Sequence, residues 1–175
     1  TVLSRGLGDV YKRQVYINAV QSSAFFNSIE LKRRRMMAVL PFFHIFALTA
    51  VMNMGIYTGT ELVIHPRFDL LSVLKDIHKK KPSIMVGVPS IYTAMLNHSD
   101  IKKFKLNSLQ VSIAGGAPLP VQVKEDFEAL SGGTLIEGYG LTENAPVASA
   151  NPPFAENKKG SIGLSLIHIS EPTRQ

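Results

Sequence analysis

The seven residues Glu137-Gly138-Tyr139-Gly140-Leu141-Thr142-Glu143 put an aromatic face, two glycines, a hydroxyl and a carboxylate directly after an apolar run. Such a set can hold a nucleotide. An aromatic ring stacks on a base, a hydroxyl donates to a phosphate, and a carboxylate holds a divalent cation that bridges phosphate oxygens. The glycines predict a backbone that leaves the short strand Thr134-Leu135-Ile136 sharply and approaches a ligand closely. The same residues also suit a polar turn after a core strand, with Tyr139 packed and Glu143 solvated, and the heptad alone does not choose between the two.

Two further stretches have similar equipment. Ser112-Ile113-Ala114-Gly115-Gly116-Ala117-Pro118-Leu119-Pro120 is again an apolar strand running into glycines and then a helix. It reads as a second pocket wall, or as a tight turn whose prolines start a helix. In Leu40-Pro41-Phe42-Phe43-His44-Ile45-Phe46 a histidine sits among aromatics before an apolar helix, which also fits a core histidine with one satisfied hydrogen bond.

The elements that must position these groups follow from hydrophobic periodicity. Apolar strands are predicted at 36–40, 61–65, 84–88, 109–114 and 134–139, alternating with helices at 45–57, 69–79, 89–97 and 120–130. Leu70, Leu71, Val73, Leu74 and Ile77 give one helix a one-sided apolar pattern. A further helix over 15–30, with Val20, Ala24, Phe25 and Ile29, packs on the same layer, and after Asn151 the chain reads as a surface crossing. The fold class expected is α/β, a mostly parallel sheet flanked by helices. Ligands of such sheets bind at the carboxyl ends of strands, where all three stretches fall.

Lys32-Arg33-Arg34-Arg35 and Lys79-Lys80-Lys81 invite a nucleic-acid reading, but they suit solvated ends of elements better, the second also complementing a helix C-terminus. No nucleic-acid partner is expected. Coenzyme A phosphates or an anionic membrane surface are weaker candidates. The chain contains no cysteine, which excludes disulfides, thiolate metal sites and a cysteine nucleophile. The apolar stretch Ile45 to Tyr57 is too short and too interrupted to span a bilayer.

From about Asn18 to Ser165 the chain resembles the adenylate-forming superfamily, and within it the acyl-CoA synthetases. The resemblance rests on Pro41-Phe42-Phe43-His44-Ile45-Phe46-Ala47, Gly87-Val88-Pro89, Gly115-Gly116-Ala117-Pro118-Leu119, Gly138-Tyr139-Gly140-Leu141-Thr142-Glu143 and Gly160-Ser161-Ile162-Gly163-Leu164, in family order. The wording around these motifs is most similar to bacterial long-chain fatty acid ligases. The resemblance implies that a fatty acid carboxylate attacks the α-phosphate of ATP, with Mg2+, and that coenzyme A then displaces AMP. It assigns Glu143 to the metal, Thr142 to a phosphate oxygen, and His44 to orientation and charge stabilisation. Gly115, Gly116, Ala117, Pro118, Glu137, Gly138, Tyr139, Gly140 and Leu141 would line the nucleotide, while Phe43, His44, Val88, Pro89 and Gly115 would border the acyl group. A general-base role for His44 is not implied, because a carboxylate nucleophile has no proton to lose near neutral pH.

The resemblance further implies an internal piece of a longer enzyme, residues 15–165 belonging to its AMP-binding N-terminal domain, in the cytoplasm or on the cytoplasmic face of a membrane. Residues 1–14 and 166–175 look like translated sequencing-adapter tails; setting aside their four basic and two acidic residues lowers the net charge from +6 to +4. The family's phosphate loop and adenylation lysine do not occur in the chain, so the chain alone is expected not to turn over. Two other readings stay open: activation of an aryl or amino acid, or loading of a carrier protein; and an α/β binding module without catalysis. Chain length of the acid and oligomeric state are not legible.

Overall fold

A computed structural model of the protein describes residues 9–27, 34–153, 158 and 160–166. Its centre is a seven-stranded sheet of order β2-β1-β3-β4-β5-β6-β7. Strands β1 (Arg35–Ala38), β2 (Glu61–Ile64), β3 (Ile84–Gly87) and β4 (Val111–Ala114) and the first half of β5 (Thr134–Gly140) are parallel. Strands β6 (Val147–Ala150) and β7 (Leu164–Ser165) extend the sheet antiparallel.

Residues of β1, β3 and β4 are buried along their whole lengths, as expected of short apolar strands covered on both faces. Alternation divides their side chains. Met37, Met85 and Leu135 face one core with Val73, Leu74 and Ile77 of α4 (Leu70–Lys80), Ile91, Tyr92 and Met95 of α5 (Pro89–Leu96), and Phe127 of α6 (Val121–Ser131). Met36, Ala38, Ile84, Val86, Ile113 and Ile136 face the other core, with Ala47, Val51 and Met54. Those last residues lie on one helical run, from α2 (Ile45–Ala47) through a π-helical turn, Leu48–Asn53, to α3 (Met54–Thr58). The helix predicted at 45–57 is thus present, but widened by one π stretch. On its outer side packs α1 (Asp9–Asn27), which starts six residues before the predicted 15; the end predicted at 30 and Ile29 lie outside the described residues.

Single side chains fix this packing. The Tyr92 hydroxyl donates to Ile113 O at 2.8 Å and its ring meets Phe127 edge-on at 4.9 Å, tying α5 to β4 and α6. Lys124 of α6 reaches both Glu128 and Leu135 O at 2.5 Å, anchoring that helix to β5. Asp69 caps α4 by accepting from Ser72 N–H at 2.8 Å, while His78, Lys79 and Lys80 occupy its last turn.

Two sequence expectations are corrected. The strand predicted at 134–139 is present as Thr134–Gly140, but its glycines do not turn the chain away from the sheet, because Gly138, Tyr139 and Gly140 pair with β6. Gly140 is small for a reason other than turning, because a Cβ there would collide with the carbonyl of Pro146, the residue just before β6. Arg35, expected in a solvated run, is buried; it pairs with Glu61 at 2.6 Å and donates to Lys80 O, joining β1, β2 and α4. Lys32 and Arg33 lie outside the described residues. Among the described residues no helix is long and apolar enough to cross a membrane.

Candidate functional site

The parallel strands place the loop after β1, the glycine loop after β4 and the second half of β5 at one end of the sheet. They enclose a cavity of about 300 Å³ lined by His44, Ile45, Phe46, Gly115, Gly116 and the run Gly138 to Glu143, together with Ser22, Ala50, Ile113, Pro146, Val147, Ala150 and Leu166. One part of this lining is polar and rich in glycine, and the other is aliphatic and aromatic. Of the predicted site residues, His44, Gly115, Gly116, Gly138, Tyr139, Gly140, Leu141, Thr142 and Glu143 converge here.

His44 is the N-cap of α2. Its Nδ1 accepts from Phe46 N–H at 3.3 Å, and its backbone N–H donates to Pro41 O at 3.0 Å. A ring that accepts at Nδ1 carries its neutral-state proton on Nε2, which makes that atom a donor. His44 is exposed, not the core histidine that its aromatic neighbours suggest.

The glycine loop is held by Gly115 N–H donating to Gly87 O at 3.2 Å, and Gly116 has φ +80°, a conformation that side chains disfavour. A Cβ on Gly115 would stand 3.0 Å from the Phe46 ring and 3.3 Å from Gly138 O. The absent side chain lets the histidine loop, the β4 loop and β5 meet around one space. Tyr139 is 42% exposed, so its ring has a free portion at the cavity wall. Beyond it, Leu141 N–H donates to Pro146 O at 3.0 Å, and a 3-10 turn, Thr142–Asn144, carries Thr142 and Glu143 exposed at the rim.

The remaining predicted residues lie elsewhere. Phe43 is 92% exposed, because it occupies the turn before the helix cap and projects away from both cores. Val88 caps α5 and Pro89 is its first residue; they border the Gly116 loop from behind, Val88 Cγ1 lying 3.6 Å from where a Gly116 Cβ would be. Ala117 and Pro118 are exposed beyond the bend at Gly116. The Glu137 side chain does not reach the cavity either: its Oε1 accepts from Leu119 N–H at 3.1 Å, fastening the β4 loop to β5.

Several lining residues were not legible as site residues. Ser22 belongs to α1, where Asn18, Ser22 and Phe25 share a face by their spacing of four and three. Asn18 Nδ2 donates to Val147 O at 2.8 Å and its Oδ1 accepts from Val147 N–H at 3.1 Å, so a side-chain amide completes β6 as a neighbouring strand would. Leu166, past the boundary expected at 165, is buried beside Phe25 and Ala150.

Among the described residues no three metal-ligating side chains cluster. Glu143 nevertheless suits a magnesium ion, which typically takes one or two carboxylates and completes its shell with water and substrate phosphates.

The profile of the AMP-binding enzymes matches residues 10–170. A long-chain-fatty-acid–CoA ligase of Bacillus subtilis is 40% identical over 151 residues, covering 86% of this chain and 27% of that protein, so the chain spans about a quarter of that relative's length. The crystal structure of an anthranilate CoA ligase in complex with anthranoyl-AMP superposes with a TM-score of 0.78 at 25% identity, covering 87% of this chain and 30% of the other. A long-chain-fatty-acid-CoA ligase of Archaeoglobus fulgidus shares the fold at a TM-score of 0.75 and 20% identity, covering 87% and 32%.

Proposed function

The chain belongs to the family of AMP-binding enzymes, and on that premise we propose that the longer enzyme to which it corresponds activates a long-chain fatty acid with ATP and Mg2+ to an acyl adenylate and passes the acyl group to coenzyme A, this chain supplying part of the binding site. The observation that carries this reading is the two-sided cavity, glycine-lined and polar along Gly138 to Glu143, apolar along Ile45, Phe46, Ala50, Ile113, Val147 and Ala150. An adenylate joined to an alkyl chain has the same two-sided character.

The first chemical step sets an anionic carboxylate against a polyanionic triphosphate, so the barrier is largely repulsion and the charge that develops at the α-phosphate. Mg2+ held by Glu143 would neutralise phosphate charge. Thr142 donates its hydroxyl to a phosphate oxygen from the same turn. His44 Nε2–H donates to the oxygen on which negative charge grows, a contribution that typically lowers a barrier by about 2.7–4 kcal/mol for one well-aimed donor. Tyr139 lies along the adenine, and the bare backbone of Gly115 and Gly116 leaves room for the base. Glu137 acts one step removed, holding Leu119 and with it the glycine loop.

Amino-acid activation is disfavoured, because among the described residues no lining carboxylate besides Glu143 is present to meet a substrate amine. An aryl acid is the second reading. It is favoured by the cavity volume of about 300 Å³, at the lower end for ligand pockets, and by the ligand named for the anthranilate ligase.

The test is titration of ATP into the wild type and Glu143→Gln, with and without magnesium. Wild-type affinity should rise with magnesium and that of the variant should not; an equal response in both would remove Glu143 from the metal. Displacement of a bound acyl probe by tetradecanoate but not by anthranilate selects the fatty acid, and the reverse selects the aryl acid.

A further inference from the structure

A second concave site lies at the opposite end of the sheet. Helix α4 ends at Lys80 just before β3 begins, and the 3-10 turn Ile101–Lys103 precedes β4, so both sit toward the amino ends of strands whose carboxyl ends carry the cavity. Between them is a groove of about 390 Å³ lined by Lys75, His78, Lys79, Lys103 and Phe104. Phe104 stands edge-on to His78 at 6.5 Å and to His98 at 6.1 Å. The His78 ring is pinned, because its Nδ1 accepts from Lys105 N–H at 3.0 Å, which leaves Nε2–H as a donor.

A solvated helix end accounts for Lys79 to Lys81 but not for the rest. Lys75 and Lys79 are like charges four residues apart on α4, a spacing that repels. Lys103 adds a third ammonium from a different element, and Lys102 and Lys105 flank it in the chain. Of the nearby carboxylates, Asp76 is held by Lys80 at 2.8 Å and His65 at 3.1 Å, while Asp100 pairs with Lys103 at 2.7 Å and offsets part of that third charge, so the repulsion is chiefly between Lys75 and Lys79. An anion in the groove would relieve this repulsion, and the aromatic ring would accept an apolar portion of the same ligand.

We propose that this groove is a phosphate-binding site distinct from the nucleotide cavity, taking a phosphate mono- or diester attached to an apolar or glycerol-like body. Lys75, Lys79 and Lys103 supply charge, and His78 Nε2–H supplies a directed hydrogen bond. The position at the amino ends of the strands places it out of reach of the ATP and acyl groups of the cavity, so the proposal stands whether or not the acyl reading holds. The phosphate could belong to a soluble ester or to an anionic lipid headgroup, with the same contacts.

The test uses the full chain and two probes, glycerol 3-phosphate by calorimetry and phosphatidylglycerol vesicles by sedimentation, with phosphatidylcholine vesicles as the neutral reference. The Lys79→Ala/Lys103→Ala double variant should bind about tenfold or more weakly, roughly the loss of one charge-assisted contact. Arg67→Ala/Lys158→Ala, which removes the same charge outside the groove, should stay within about twofold of wild type. Single Lys103→Ala, on an exposed turn, guards against a folding defect, checked by circular dichroism. Saturable binding of glycerol 3-phosphate assigns a soluble ester, and binding to phosphatidylglycerol vesicles alone assigns the headgroup. Binding to neither probe, or equal weakening in both double variants, overturns the site.

Discussion

At the scale of single residues, the proposed chemistry draws on groups that the backbone aims and on positions where only a small residue fits. His44 has one nitrogen committed to Phe46 N–H and the other left to donate. In a full-length enzyme carrying this segment, His44→Gln, which keeps a donor without the cap geometry, should slow adenylation more than it weakens binding of the acid, a loss in kcat exceeding any rise in KM. Gly140 is small because the Pro146 carbonyl occupies the position of a Cβ. Gly140→Ala should therefore destabilise by about 1–3 kcal/mol in urea titrations, as overpacking does, and displace Tyr139 with it. Tyr92 is 0% exposed, and burial pushes its phenol far above the ordinary range. Since the unfolded chain loses that proton near pH 10 and the folded chain keeps it, stability is fully present below pH 10 and declines above it, by about 1.4 kcal/mol per pH unit for one proton. Tyr92→Phe should lower stability at neutral pH by about 1 kcal/mol and flatten that alkaline decline; an unchanged slope would mean that the tyrosine titrates alike in both states.

At the scale of elements, the parallel core was legible because its strands are short, largely apolar runs and because α4 has a one-sided pattern, with Val73, Leu74 and Ile77 inward. What was not legible depends on contacts far apart in the chain. The strand was predicted to 139, but nothing in the sequence announces its antiparallel partner, since β6 is a stretch of small residues with no strand signature of its own. The π stretch Leu48–Asn53 likewise has no signal of its own, because Leu-Thr-Ala-Val-Met-Asn reads as part of an ordinary apolar helix. Asn18 shows the same limit at greater distance: its amide serves a strand 129 residues away. Asn18→Ala would leave both polar groups of Val147 without their partner, costing about 2–4 kcal/mol by the penalty for buried unpaired groups. Asn18→Asp should keep only the bond to Val147 N–H. If chemical denaturation places the alanine variant within 0.5 kcal/mol of wild type, a figure of about the size expected for a surface change, the clasp has no structural weight.

At the scale of the whole molecule, the sheet separates two kinds of surface. Its carboxyl end brings together His44, the β4 glycine loop and the Gly138 to Glu143 run, with α1 and β6 closing the apolar side. Its amino end gathers lysines around Phe104. The three motifs pointed to the first surface because parallel strands deliver their following loops to one edge, which is why their order and spacing carried more than any one residue. The second was only faintly legible, as the run Lys79-Lys80-Lys81, because a lysine run in sequence does not reveal whether a third lysine and a pinned imidazole meet it. The most direct measurement for the account as a whole is calorimetric titration of the chain with a tetradecanoyl sulfamoyl adenosine, a stable stand-in for the acyl adenylate, beside adenosine and tetradecanoate alone. One site is expected, tighter for the joined molecule than for either half, weakened about tenfold or more by Tyr139→Ala through lost stacking and abolished by Ala150→Phe, which fills the apolar end. Binding no tighter than that of adenosine alone, or indifference to both substitutions, would contradict it.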